Sequence, residues 1–158
     1  PDKLEKQIAF MKSNEFYFSY TNYSEIDKAS NPLGILVTGP KKISKCGMYN
    51  YCWPGCLTVM YDATVIGLVQ IVDIKKNNDY AIWLKVIQKT DCYLLDEELA
   101  KYRKRTGSIS NISYMKLIQW HYILFRIGEN RSVISSVFLT ARNLMFGLWK
   151  KFKYVSIT

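Results

Sequence analysis

A chain of 158 residues with 49% hydrophobic and 22% charged side chains suits one folded domain, long enough to bury roughly 70% of its unfolded surface without staples. Its 22 basic residues outnumber 13 acidic ones, for a net charge of +9, which excludes an acidic surface and favours a polyanionic partner. No apolar run reaches the roughly 20 residues of a membrane span, and Asp2, Lys3, Glu5 and Lys6 interrupt any secretory leader.

These features lead us to expect a cytoplasmic protein with no membrane partner. The chain opens on Pro1 rather than Met, as expected of a single domain spanning residues 1–158 within a longer protein. The charge is unevenly spread: residues 1–40 are net −1, residues 41–90 net +4 and residues 91–158 net +6. An electrostatic footprint for phosphate would therefore lie after residue 40.

In chain order, residues 3–13 place Leu4, Ile8 and Met11 on one helical face. Residues 15–20 (EFYFSY) read as a strand, and 21–34, rich in Asn, Ser, Asp, Pro and Gly, as a loop. Residues 35–38 (ILVT) form a short strand stopped by Gly39-Pro40, and a basic, glycine-containing loop follows to Gly55. Residues 57–61, 65–74 and 80–88 are rich in branched apolar side chains and read as consecutive, mostly antiparallel strands. Residues 94–105 (LLDEELAKYRKR) read as a helix with Asp96, Glu97 and Glu98 in its solvated first turn. Residues 112–126 are dense enough in apolar positions for a buried helix. The segment RSVISSVFL reads as a last strand, and 140–152 as a closing helix capped by Thr140, with Leu144, Leu148 and Phe152 on one face. The expected fold is α+β, a curved mixed, mostly antiparallel sheet or open barrel with flanking helices.

Catalytic motifs are scarce. GxSxG, HExxH, P-loop and GxGxxG patterns do not occur, and the lone histidine, His121, sits in an apolar run where a packing role is expected. Cys46, Cys52 and Cys56 are separated by five and three residues, with Cys92 far away. That spacing forms no CxxC knuckle, so reduced thiols are expected rather than zinc. The expectation is a binding domain without catalysis, metal or cofactor.

Binding signals are richer. Tyr49, Asn50, Tyr51 and Trp53 follow closely on Lys41, Lys42 and Lys45. Lysines attract phosphate, rings stack on bases and an amide can read a base edge. A base-binding pocket is placed between Ser19, Tyr20 and Asn22, the loop Tyr49, Asn50, Tyr51 and Trp53, and the strand end Tyr61 and Asp62. Phosphate contacts are assigned to Lys41, Lys42, Lys45, Arg103, Lys104, Arg105 and Arg131. Trp53 is the ring expected to contribute most, because it lies in a Cys-Trp-Pro-Gly turn. The alternative is that it plugs the barrel. Trp83, Trp120 and Trp149 lie in apolar segments and read as core.

The order of elements resembles the PUA-like superfamily, in particular its EVE and YTH branches. Residues 16–22 (FYFSYTN) are similar to a first strand ending in a pocket, and Gly47-Met48-Tyr49-Asn50-Tyr51 to a GVxNY-type segment. Residues 54–61 and 65–72 resemble the strand pair that follows, Ile82-Trp83-Leu84-Lys85-Val86 a tryptophan-bearing strand, and Arg131-Ser132-Val133 an RxSV segment before a final helix. The resemblance covers residues 15–150. The short segment before Trp53-Pro54-Gly55 and the five-residue loop KKNND depart from the pattern, so one side of an aromatic cage lacks a counterpart. The resemblance implies recognition of a modified, flipped-out base in DNA, as in the reader domains of modification-dependent restriction GTPases. An RNA-binding module of the same superfamily and a basic protein-interaction domain are the alternatives.

Overall fold

The computed structural model describes residues 2–70, 72–105 and 113–157. Helix α1 (Lys3–Asn14) forms where its periodicity places it and stops at Glu15, whose φ of 55° is left-handed. Its buried face differs from the expected one: Gln7 and Met11 point inward, whereas Leu4 and Ile8 are exposed. Gln7 is tolerated there because its amide donates to Ser19 Oγ and to the Thr58 carbonyl, both at 3.0 Å.

Strand β1 (Phe18–Ile26) runs straight through the segment expected to be a loop. It is the axis of the sheet. Strand β2 (Pro32–Val37) pairs with it antiparallel after a turn built on Asp27, whose carboxylate accepts from the Ala29 and Asn31 backbone N–H groups. Strand β3 (Lys42–Ile43) lies at the far edge, followed by helix α2 (Lys45–Asn50), whose cap Ser44 accepts from the Gly47 N–H.

The three expected strands between residues 57 and 88 are not a meander. A tight turn (Cys56–Thr58) leads to the two-residue strand β4 (Met60–Tyr61), then to the short helix α3 (Ala63–Ile66) and to helix α4 (Asn78–Val86). Tyr80, Ala81, Trp83, Leu84 and Ile87 are buried, a spacing that only a helix turns to one side. Branched side chains had suggested strand, but burial on a helical period outweighs intrinsic preference.

The reverse happens in β5 (Cys92–Arg103), expected to be helical. This strand lies between β3, antiparallel, and β1, parallel from Ser19↔Tyr93 to Ile26↔Arg103. Strong helix formers are recruited into a strand because β1 pairs with it along its length and β3 pairs with its first two residues. Asp96, Glu97 and Glu98 consequently sit on a strand, bonded to Asn22, Lys6 and Ser24.

Helix α5 (Tyr114–Ile123) continues into a π-helical turn, and helix α6 (Val133–Lys153) begins at Ser132, whose hydroxyl accepts from the Ser135 N–H. The segment RSVISSVFL is thus helix, not strand, and Thr140 lies mid-helix with its hydroxyl bonded to the Ser136 carbonyl. Strand β6 (Val155–Ile157) closes on β2. The sheet order is β3-β5-β1-β2-β6 with β4 beside β1, a mixed, mostly antiparallel open sheet. Phe18, Ile43, Met48, Leu84 and Phe125 form the core between sheet and helices, each contributing about 1.5–3 kcal/mol by burial. Among the described residues no helix is long and apolar enough to cross a membrane.

Candidate functional site at the start of α4

The structure does not assemble the expected base pocket. Ser19 is fully buried and bonded to Gln7, Tyr20 donates to the Pro40 carbonyl at 2.5 Å, and Asn22 donates to Asp96 at 2.7 Å. Tyr49 is bonded to Glu129 and receives a bond from Arg131 at 3.0 Å. Trp53 is 4% exposed. Its indole donates to the Gly47 carbonyl at 2.9 Å, and edge contacts with Tyr51, Phe146, Trp149 and Tyr154 surround it. A ring with all sides occupied has no face left for a base, so Trp53 is a core plug.

Only part of the expected convergence is real. Phe18 pairs with Tyr61, and Ser19 with Met60, so the β1 and β4 segments do meet. Tyr61 and Asp62 line an open groove against α1, with Phe16 and Tyr17. Asp62 caps α3 by accepting from the Thr64 N–H and hydroxyl. The Trp53 cluster packs instead against α6.

The basic residues do not form one phosphate track either. Lys42 pairs with Asp91 at 2.8 Å, Lys104 with Glu25 at 3.1 Å, and Arg103 donates to the carbonyls of Asp27 and Lys28 and to Ser30. Arg131 lies over the Tyr49 ring. Lys41, Lys45 and Arg105 are exposed at separate places along the chain. Trp149, expected in the core, is exposed on α6.

A different constellation gathers where α4 begins. The αL conformation of Asn77, φ 60°, turns the chain into the helix, a backbone state asparagine adopts more readily than most residues. Asp79 follows in the first helical turn, where the backbone dipole favours a carboxylate by about 0.3–1 kcal/mol. The exposed Cys56 thiol lies near enough to feel the charge of that carboxylate. Burial and then Asp79 push the Cys56 thiol up to about 11. Burial pushes Cys52 up to about 12, with Asp79 adding to the effect and Lys150 opposing it. Both thiols stay protonated at neutral pH, so neither is a competing nucleophile.

The support beneath Asp79 is rigid. The next residue, Tyr80, donates to the Met48 carbonyl at 2.6 Å and accepts from Asn143 at 2.8 Å, tying α4 to α2 and α6. Lys150, almost fully buried, donates to the Trp53 carbonyl at 3.0 Å and lies 5.2 Å from the centre of the Tyr51 ring. Burial lowers its pKa. Asn50, Asn77, Asn78 and Trp83 each keep a buried polar atom without a hydrogen-bond partner. Orphaned groups of this kind cost about 1–3 kcal/mol each; these four lie at the start of α4, along it and at the end of α2, and a fifth is Asn22 Oδ1 on β1.

Asp62 is engaged in a cap, Asp91 with Lys42, Asp96 with Asn22, Glu97 with Lys6 and Glu129 with Tyr49. Asp79 is exposed at a helix start and available to take a proton from a bound hydroxyl. Sequence reasoning missed it by placing it in a hairpin loop. The signal was there: Asn-Asn-Asp directly before an apolar run spaced by three and four residues marks a helix start. Among the described residues no group of three or more His, Cys, Asp or Glu is placed to hold a metal ion.

Comparison with known proteins finds proteins named as glycosyltransferases. The chain is 36% identical over 111 residues, 70% of its length, to a protein of Bacillus subtilis named as a teichuronic acid biosynthesis glycosyltransferase, TuaG, covering 44% of that protein. It is 33% identical over 130 residues to the Escherichia coli UDP-Glc:alpha-D-GlcNAc-diphosphoundecaprenol beta-1,3-glucosyltransferase WfaP, covering 80% of this chain and 49% of the relative. It is 31% identical over 131 residues to WfgD of Escherichia coli, which carries the same activity name, covering 82% and 51%. The chain thus spans about half the length of the curated relatives it matches. No family model matches it. These similarities overturn the PUA-like resemblance and, with it, recognition of a modified base, DNA or RNA as partner, and the expectation of a domain without catalysis. The misleading feature was the basic charge, which suits any phosphate-bearing partner and not nucleic acid alone.

Proposed function

We propose that this chain is part of a glycosyltransferase that moves a sugar from a nucleotide diphosphate donor onto a hydroxyl of a lipid-diphosphate-linked saccharide, with Asp79 as the general base. The observation that carries the reading is Asp79 itself, an exposed carboxylate at the first turn of a firmly anchored helix, in a chain similar over most of its length to proteins named for that chemistry.

Glycosyl transfer needs a hydroxyl made nucleophilic as it attacks the anomeric carbon. A carboxylate within hydrogen-bond reach accepts the proton while the nucleoside diphosphate departs with the bonding electron pair. The Tyr80 bridge fixes the start of α4, so Asp79 is held in place rather than on a drifting loop, and such positioning supplies part of the rate.

The test is transfer from a nucleotide sugar to a lipid-diphosphate-linked acceptor by the intact protein. Asp79→Asn should lower kcat by about 10²–10⁴-fold with an unchanged fold by circular dichroism. A variant with undiminished kcat would remove Asp79 from the base role, and absence of transfer with any nucleotide sugar would remove the reading as a whole.

A further inference from the structure

The fully buried residues of helix α6 are polar: Ser136, Thr140, Asn143 and Lys150, flanked by Leu139 and Phe146, which pack on the core. Its outer side carries Ile134, Phe138, Met145, Leu148, Trp149 and Phe152, all exposed; Ile134 is 84% and Phe152 88% accessible. At about 100° per residue these six fall within roughly 60° of a single line along the helix. From Ile134 to Phe152 the stripe extends about 27 Å at 1.5 Å per residue. Helix α5 lies alongside and adds Tyr114 and Met115, also exposed. A continuous apolar surface of this kind is a docking face rather than scattered surface hydrophobics.

The charges around the stripe say what it docks on. Arg142 and Lys153 fall on one flank and Lys151 on the other, about 80–100° from the stripe's centre line. Residues 113–157 hold seven basic side chains and one acidic, Glu129. Lys153 stands 5.0 Å from the Trp149 ring centre, so a cation and an amphipathic aromatic share one edge. An apolar stripe with aromatics, rimmed by cations on both sides, is the pattern of a helix lying in the interface of an anionic bilayer. The polar inner face is held by hydrogen bonds to the core, from Lys150 to the Trp53 carbonyl and from Asn143 to Tyr80, so α6 can lie on the bilayer but cannot roll into it. A second copy of the chain is a poorer occupant, because pairing two such faces would set one cationic rim against another.

We propose that the outer face of α6, with the start of α5, is a membrane-docking surface selective for anionic lipid. This goes beyond the transfer reading and is independent of the role given to Asp79. It also reverses the expectation of no membrane partner.

The experiment is co-sedimentation of the intact protein with vesicles of phosphatidylcholine alone and of phosphatidylcholine with 30–50% phosphatidylglycerol (about one anionic lipid in two or three, enough for roughly 1 kcal/mol per nearby cation), across a salt series. Binding should be at least about tenfold stronger on the anionic vesicles and should fall with salt. Ile134→Asp and Phe138→Asp, both at exposed positions, should abolish it, while Leu4→Asp on exposed α1 should not. Lys151→Gln with Lys153→Gln should weaken binding and flatten its salt dependence, which keeps the test decisive should an aspartate variant misfold. No binding to anionic vesicles, equal binding to both vesicle types, or a dimer in sedimentation equilibrium that Phe138→Asp dissociates would each overturn the proposal.

Discussion

The Asp79 carboxylate lies near enough to the Cys56 thiol for its charge to help hold the thiol's proton. The thiol is pushed up to about 11, by partial desolvation first and by the carboxylate second. At pH 8 about one thiol in a thousand would be ionised. Alkylation by iodoacetamide, followed by mass spectrometry, should therefore be slow at Cys56 and accelerate about tenfold per pH unit up to about pH 11. In Asp79→Asn the carboxylate's contribution is lost and labelling at a given pH should be faster. Equal rates in the two proteins would show that the pair does not interact.

Trp53 supplies a second test, one that separates a core ring from a stacking platform. It is enclosed by four aromatic neighbours and bonded to the Gly47 carbonyl. Trp53→Ala should destabilise by about 3–5 kcal/mol, read as a large drop in the denaturant midpoint. A variant of unchanged stability would mean that the ring is not a structural plug.

Tyr80 joins three helices through one hydroxyl. Tyr80→Phe leaves the Met48 carbonyl and the Asn143 amide without that partner, which should cost about 1–3 kcal/mol. Asn143→Leu, by comparison, leaves the Tyr80–Met48 bond in place and should cost less. Chemical denaturation of the two variants side by side gives the order, and the reverse order would disprove the bridge.

Alkaline pH should unfold the chain in a defined direction. Burial raises Tyr23 and Tyr51, the latter to about 12, and holds Tyr20 and Tyr80 high as well. A tyrosine raised in the folded state is ionised first in the unfolded chain. The stability it provides is therefore complete below pH 10 and lost as pH climbs from 10 toward 12. Lys150 acts oppositely: its folded value is lowered, so its burial penalty is relieved as pH rises toward the unfolded value of 10.5. Four tyrosines outweigh one lysine, and the denaturant midpoint should fall above pH 10. Replacing Lys150 with Met should steepen that fall. A midpoint flat to pH 12 would contradict the burial of these hydroxyls.

The amino-acid sequence by itself determined what depends on local pattern. Helix α1 follows from apolar spacing, the burial of His121 from its apolar surroundings, with Nδ1 2.8 Å from the Leu117 carbonyl, and the burial of Trp83 from the same logic. The mixed, mostly antiparallel sheet is built from other strands than the branched segments suggested. Tertiary structure alone decided the rest. LLDEELAKYRKR has the composition of a helix, yet most of it became β5 because β1 offers it backbone partners as far as Arg103, and filled hydrogen bonds outweigh a propensity worth a few tenths of a kcal/mol per residue. Branched residues in the runs VIGLVQIVDI and YAIWLKVIQ suggested strands, yet α4 formed because only a helix turns Tyr80, Ala81, Leu84 and Ile87 together into the core. The face that α6 shows to solvent could not be read from its periodicity, since an amphipathic pattern fixes that two sides differ but not which one meets the protein. Asp79 became a candidate base for the same reason: its meaning depends on Cys56, Met48 and Asn143, residues distant in sequence that the fold brings to one helix end.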